Sequence, residues 1–173
     1  MAEAAEYSAI EALRDGRSVE IRALRPDDRD ELVAAVGRTS AQSLYRRFFA
    51  VRRSFTEREI AFFSNVDFVN HVALVAAVEE GGRPVIGGGG RYIVVQPGQA
   101  EVAFVVVDQY QGQGIGAALM RHLAAIARGA RLPELIAEVL PDNTPMLKVF
   151  EKSGLCLSAR RESRVVHVTL RLF

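Results

Sequence analysis

Two features of this 173-residue chain have residue types and spacing suited to chemistry. The first is Gln111-Gly112-Gln113-Gly114-Ile115-Gly116, a glycine-rich turn between the apolar stretch 100–107 and an amphipathic stretch, 112–128. Glycines let the backbone approach a ligand closely and aim successive N–H groups at it. The positive end of the following helix adds to that attraction, so such a turn suits a phosphate or pyrophosphate. The other reading is a tight strand-to-helix turn with no ligand. The second feature is Glu101, the only charged residue of 100–107. It is either a carboxylate placed to accept a proton or a strand-end Glu paired with an arginine.

The phosphate ligand is narrowed by what surrounds the turn. A P-loop needs Lys-Ser or Lys-Thr after its last glycine, and Ala117-Ala118 stands there. Gly112, Gly114 and Ala117 loosely meet a dinucleotide fingerprint, but that motif follows the first strand of its fold. Too few residues follow Gly116 to supply the remaining strands.

The elements that must position these residues read as a mixed α/β domain of about seven strands and four or five helices. Residues 9–14 look helical, and 18–24 alternate as a strand. Pro26-Asp27-Asp28 opens a helix, Thr39 or Ser40 caps a second, and Thr56 with Glu59 forms a capping box for a third. Strands follow at 71–78, 85–95 and 100–107; the last, nearly all apolar, belongs in the middle of a sheet. Gly87-Gly88-Gly89-Gly90 is unusual in a strand, and marks a bulge, a close ligand approach or composition drift. After the helix from Gly112 come a strand at 135–140, a helix after Asn143, and antiparallel closing strands at 155–157 and 165–172.

Composition bounds the function. At 19.0 kDa, with 49% apolar and 25% charged residues, the chain has room for one globular domain. A net charge of +1 argues against a nucleic-acid binder. No apolar run is long enough to cross a bilayer, and residues 1–7 do not read as a secretory signal. One cysteine, Cys156, rules out a disulfide framework or a Cys-built metal site, and the three histidines are far apart in sequence. Cys156 reads as a small buried residue and His71 as a structural histidine or a second proton carrier. A soluble, reduced, cytoplasmic domain without a metal is expected, with neither nucleic acid nor membrane as partner.

The turn resembles the Gln/Arg-x-x-Gly-x-Gly/Ala signature of the GNAT superfamily of acyl-CoA-dependent N-acetyltransferases, with Gln111, Gly114 and Gly116 at its fixed positions. Residues 100–107 resemble that family's fourth strand, and Asn143 with residues 146–155 resembles its N…Y-x-K-x-G-F segment. A GNAT domain over 18–173, preceded by an N-terminal extension over 1–17, is implied. Residues 24–28, 43–49 and 138–143 further resemble bacterial Pat-type protein lysine acetyltransferases. Those enzymes acetylate a lysine on AMP-forming acyl-CoA synthetases. The additional regulatory domain that many of them carry has no room in 173 residues.

The resemblance implies acetyl-CoA as cosubstrate, a lysine-bearing protein acceptor, such a synthetase being one candidate, and Glu101 as general base. Backbone N–H groups of Phe104, Val105 and Val106, above all Val106, would face the thioester oxygen and the pantetheine arm. Gln111, Gly112, Gln113, Gly114, Ile115 and Gly116 would hold the pyrophosphate. Asn143, Met146 and Phe150 would line the arm, with Asn143 either bonding it or serving only as an N-cap. Many family members carry a Tyr that protonates the departing thiolate, and Phe150 occupies that place. Arg46, Arg47, Arg52 and Arg53 would face an acidic acceptor surface or solvent, and Arg121 and Arg128 the adenosine 3′-phosphate. Other readings are a small-amine acetyltransferase and a non-catalytic acyl-CoA-binding regulator.

Overall fold

Eight consecutive residues at the start of His71–Glu80 are buried on both faces of a strand, and the layers of the fold are stacked on it. The computed structural model describes residues 2–48 and 55–173. Its strands are β1 (Ser8–Ala12), β2 (Ser18–Ala23), β3 (His71–Glu80), β4 (Arg83–Gln96), β5 (Gln99–Val106), β6 (Glu134–Val139), β7 (Cys156–Glu162) and β8 (Val165–Arg171). Its helices are α1 (Ala2–Ala5), α2 (Arg29–Gly37), α3 (Ala41–Phe48), α4 (Glu57–Ser64), α5 (Ile115–Gly129) and α6 (Thr144–Glu151). The strands form one sheet in the order β1-β2-β3-β4-β5-β6-β8-β7. Only β5 and β6 run parallel, joined by α5 as a crossover.

The helix starts follow the sequence signals. Thr56 accepts from the Glu59 N–H while the Glu59 carboxylate accepts from the Thr56 N–H, completing the capping box of α4. Ser40 Oγ accepts from the Ser43 N–H at 3.1 Å at the start of α3. The N-terminal segment departs from expectation. Residues 9–14 do not form a helix; β1 pairs antiparallel with β2 from Ser8↔Arg22 to Ala12↔Ser18. Its exposed and half-exposed residues alternate at the sheet edge, so there is no apolar stripe to read, and β2 supplies the hydrogen bonds that make it a strand. That strand brings the described total to eight.

α5 and α6 cover one face of the sheet; α2, α3 and α4 cover the other. The glycine run of β4 carries a register shift opposite Ala76/Ala77, so it does mark a bulge. It also lets α5 come close: a Cβ on Gly90 would stand 2.6 Å from Phe104 Cδ1 and 3.0 Å from Leu123 Cδ1. Gly90→Ala is expected to cost about 1–3 kcal/mol through overpacking, read as a lowered denaturation midpoint. An unchanged midpoint would mean that the Phe104 ring has room to turn aside.

Candidate functional site

β5 and β6 pair only from Gln99↔Glu134 to Glu101↔Ile136 and part beyond that rung. The opening between them is a cavity of about 220 Å³ whose walls include Arg46, Arg47, Glu101, Phe104, Glu138 and Asn143. Glu101 stands on the last paired rung, exposed, and forms no ion pair among the described residues. Its register partners Ile93 and, one strand further, His71 put it on the face covered by α3 and α4. Burial lowers the Arg47 pKa, and the charge of Glu101 partly offsets this.

Where β5 leaves β6, its backbone edge is free. A strand residue points its N–H and C=O to the same side, and successive residues alternate. The Val106 carbonyl accepts from Gln111 Nε2 at 3.0 Å instead of from β4, while the Val107 N–H donates to the Gly87 carbonyl at 2.8 Å. Val106 and Phe104 therefore turn their N–H groups to the open side, and Val105 turns its own toward β4. The Gln111 carboxamide also donates to Ser43 Oγ at 3.1 Å, so this side chain braces the end of β5 against α3.

The glycine turn follows. Gly112 (φ +78°) and Gly114 (φ +99°) adopt left-handed backbone, and a Cβ on either would meet nothing within 4 Å, so conformation, not space, demands glycine there. No side chain caps α5, which leaves its first-turn N–H groups directed at the space above the turn. Ile115 is buried in the core and Gly116 packs toward Val149 of α6, so what either offers a ligand is backbone. Gln113 Oε1 is buried without a hydrogen-bond partner.

Two expected phosphate contacts lie elsewhere. Arg121 pairs with Glu11 at 3.1 Å, and Arg128, at the far end of α5, donates from Nε to the Leu172 carbonyl at 3.0 Å. The residue that reaches the turn is Arg14: its N–H donates to the Gln113 carbonyl at 3.2 Å and Nη1 to the Gly112 carbonyl at 3.1 Å. Arg14 sits outside any motif, and the β1–β2 pairing that carries it there has no local signature.

On the remaining wall, Asn143 Oδ1 accepts from the Met146 N–H at 3.4 Å as the N-cap of α6, while Asn143 and Met146 also line the cavity. Phe150 is fully buried, its ring centre 6.0 Å from that of Phe104. Glu138, on the β6 wall, is a second carboxylate that no motif singles out; His167 Nδ1 lies 3.7 Å from it across the β6–β8 ladder. His71 is buried and accepts at Nε2 from Arg91 Nη1 at 2.9 Å, because a guanidinium can only donate. Burial, with the Arg91 charge, pushes its pKa down to about 4, so His71 is neutral and structural. Cys156 is exposed on the edge strand β7 and not buried as expected, since no element covers that end of the sheet. Arg52 and Arg53 lie outside the described residues.

A sequence model of the Acetyltransferase (GNAT) family matches residues 38–155. An acetyltransferase of Pseudomonas aeruginosa is 36% identical over 69% of this chain and 64% of its own length. Acetyltransferase Pat of Mycolicibacterium smegmatis is 33% identical over 82% of this chain and 42% of its own length. The chain thus spans less than two thirds of either relative. The crystal structure of the GNAT domain of S. lividans PAT superposes with a TM-score of 0.85 at 35% identity, covering 95% of this chain and 96% of that one. Family model, relatives and splayed sheet agree: the chain belongs to the GNAT acetyltransferase family.

Proposed function

We propose that this chain moves the acetyl group of acetyl-CoA onto the ε-amine of a lysine on a protein acceptor, an AMP-forming acyl-CoA synthetase being the first choice. The observation that carries the proposal is the position of Glu101 at the mouth of the β5–β6 opening, on the α3 side and without an ion pair among the described residues. Likeness to Pat over most of the chain supports a protein acceptor. Residues 18–173 are assigned as the catalytic domain, with 1–17 adding an edge strand, and the cytoplasm as the place of action.

A lysine amine, with a pKa near ~10.4, arrives protonated and must lose a proton before it can attack. Glu101 takes that proton directly or through water. The Phe104 and Val106 N–H groups donate to the thioester oxygen as charge builds on it, and the CoA thiolate leaves as the amide forms. A thiol pKa of ~8.5 makes it a fair leaving group. The Phe150 ring has no proton to give, so the thiolate is protonated from water or by the proton released from the amine. The pyrophosphate rests on the turn from Gln111 to Gly116, and the pantetheine arm runs along β5 toward Asn143, Met146 and Phe150. Acetyl-CoA fits this arrangement because the uncapped α5 terminus follows the free β5 edge in the chain, and that edge leads back to the opening walled by Asn143, Met146 and Phe150.

Labelled acetyl-CoA, a purified acyl-CoA synthetase and a panel of free amines test the reading. Label on a synthetase lysine supports it. Label on free amines alone makes the chain a small-amine acetyltransferase, and binding without transfer makes it a regulator. Gly114→Ala forces a side chain into left-handed backbone at a cost of about 1–2 kcal/mol. It is expected to weaken acetyl-CoA binding on the order of tenfold, measured by calorimetry; unchanged affinity would take the pyrophosphate off this turn.

A further inference from the structure

A second, larger cavity, of about 330 Å³, lies under α2, α3 and α4 against β4 and β5. It meets the first at Arg47, Phe48 and Ala103. Its walls are mostly apolar, with Leu32, Val36, Phe55 and Phe63 among them; the charged groups in its lining are two guanidiniums, Arg47 and Arg91, and the Thr39 hydroxyl there is already bonded to the Ala35 carbonyl. Arg91 donates to the Phe63 carbonyl at 3.1 Å and to His71 Nε2 at 2.9 Å, both neutral acceptors. Arg47 makes no hydrogen bond among the described residues and lies over the Phe48 ring at 4.6 Å. Neither arginine has a carboxylate within ion-pair distance among the described residues. Both line the same cavity, and burial together with the charge of Arg47 brings the Arg91 pKa down to about 9.

Two half-buried cations that share one cavity, with no carboxylate in ion-pair contact among the described residues and only the charge of Glu101 acting on Arg47, are costly, and an anion between them would relieve both burial and repulsion. A carboxylate matches the planar fork of a guanidinium. The apolar walls select what the carboxylate is attached to. A cavity of about 150 Å³ encloses benzene, so one about twice that size takes an apolar body of roughly eight carbons.

We propose that this cavity is a binding site for an amphiphilic organic carboxylate, its charge held by Arg47 and Arg91 and its chain by the walls under α2 and α4. The carboxylate belongs either to a free acid or to the distal end of an acyl group carried on CoA and reaching through the shared wall at Ala103. The site does not depend on the proposed acetyl transfer: binding is measured without turnover.

Gly89 offers a control that leaves both charges in place. It lines the cavity floor, and a Cβ there would have only the Leu74 carbonyl near it, at 3.5 Å. Gly89→Leu therefore fills the cavity from a strand position, and Val36→Phe fills it from α2 should the first variant fail to fold. Calorimetry with octanoate is expected to give one site per chain, lost in the filled variant and weakened on the order of tenfold or more in Arg91→Met. That result assigns the site to a free acid. Alternatively, adipoyl-CoA binding more tightly than hexanoyl-CoA, with the preference lost in Arg91→Met and in the filled variant, assigns it to a CoA-borne group. Octanol binding as well as octanoate, or neither arm giving a Gly89- and Arg91-dependent signal, overturns the proposal.

Discussion

Glu101→Gln is expected to lower kcat by about 10²- to 10⁴-fold, the usual contribution of a positioned general base, with acetyl-CoA affinity essentially unchanged. The amide keeps the shape of the side chain and its place on the last β5–β6 rung, but cannot accept the proton of an ammonium group. The turn proposed to receive the pyrophosphate lies at the other end of the free β5 edge, so cofactor binding should not register the change. The deficit should narrow as pH rises, since a growing fraction of the acceptor amine is then already neutral. Glu138, across the same opening, is the control: Glu138→Gln should cost less than about tenfold, short of a general base's share. Turnover of Glu101→Gln equal to that of the parent enzyme between about pH 6 and 9 would remove Glu101 from the mechanism. A large loss in Glu138→Gln alone would move the base to the β6 wall.

How much of this is legible in the sequence depends on whether a signal is local. The capping box of Thr56 and Glu59, the apolar run of β5 and the left-handed glycines before α5 are each specified by neighbours in sequence, and each forms where its residues predict it. β1 reads as a helix because an edge strand with half-exposed residues has no period of its own, and its partner β2 decides its state. The point where β5 and β6 part is likewise absent from either strand alone, because it depends on their register and on how α5 and α6 pack beneath them. Gln111 matches a binding motif, yet its carboxamide is engaged with the Val106 carbonyl and Ser43. Arg14 reaches the turn only because β1 pairs with β2, and Arg91 faces Arg47 only because α3 lies over β4 and β5. A motif names residue types at a spacing; whether a side chain turns toward ligand or back into the protein is set by partners distant in sequence.

The largest stability effect is expected at a pair of the same nonlocal kind. Arg22 on β2 and Asp28 in the turn before α2 form a bidentate ion pair, Nη1 to Oδ2 at 2.7 Å and Nη2 to Oδ1 at 2.8 Å, with side chains only 10% and 11% exposed. Asp28 also accepts from the Arg25 N–H at 2.7 Å, and Arg22 donates to the Ala23 carbonyl at 3.1 Å. The pair thus fastens the start of α2 to the sheet. Asp28→Asn leaves Arg22 buried without a counter-charge, which costs about 3–5 kcal/mol, a large part of the total stability of a domain. For a chain of this size that lowers the Tm by about 10 °C or more. The pH dependence has a definite sign. Burial pushes the Asp28 carboxyl up, but the bonds from Arg22 and the Arg25 N–H outweigh it, and its pKa lies below the usual carboxylate value. The pair's contribution is therefore fully present above the unfolded-state pKa of ~3.9 and is lost as pH falls through the lower folded-state value. The gap in unfolding free energy between parent and Asp28→Asn should be widest near neutral pH and shrink below about pH 4. Replacing both partners with apolar residues, as in Arg22→Met/Asp28→Leu, should recover much of the loss, because no charge is left stranded. A double variant no more stable than Asp28→Asn would mean that the Arg25 and Ala23 backbone bonds, and not the unpaired charge, carry the effect.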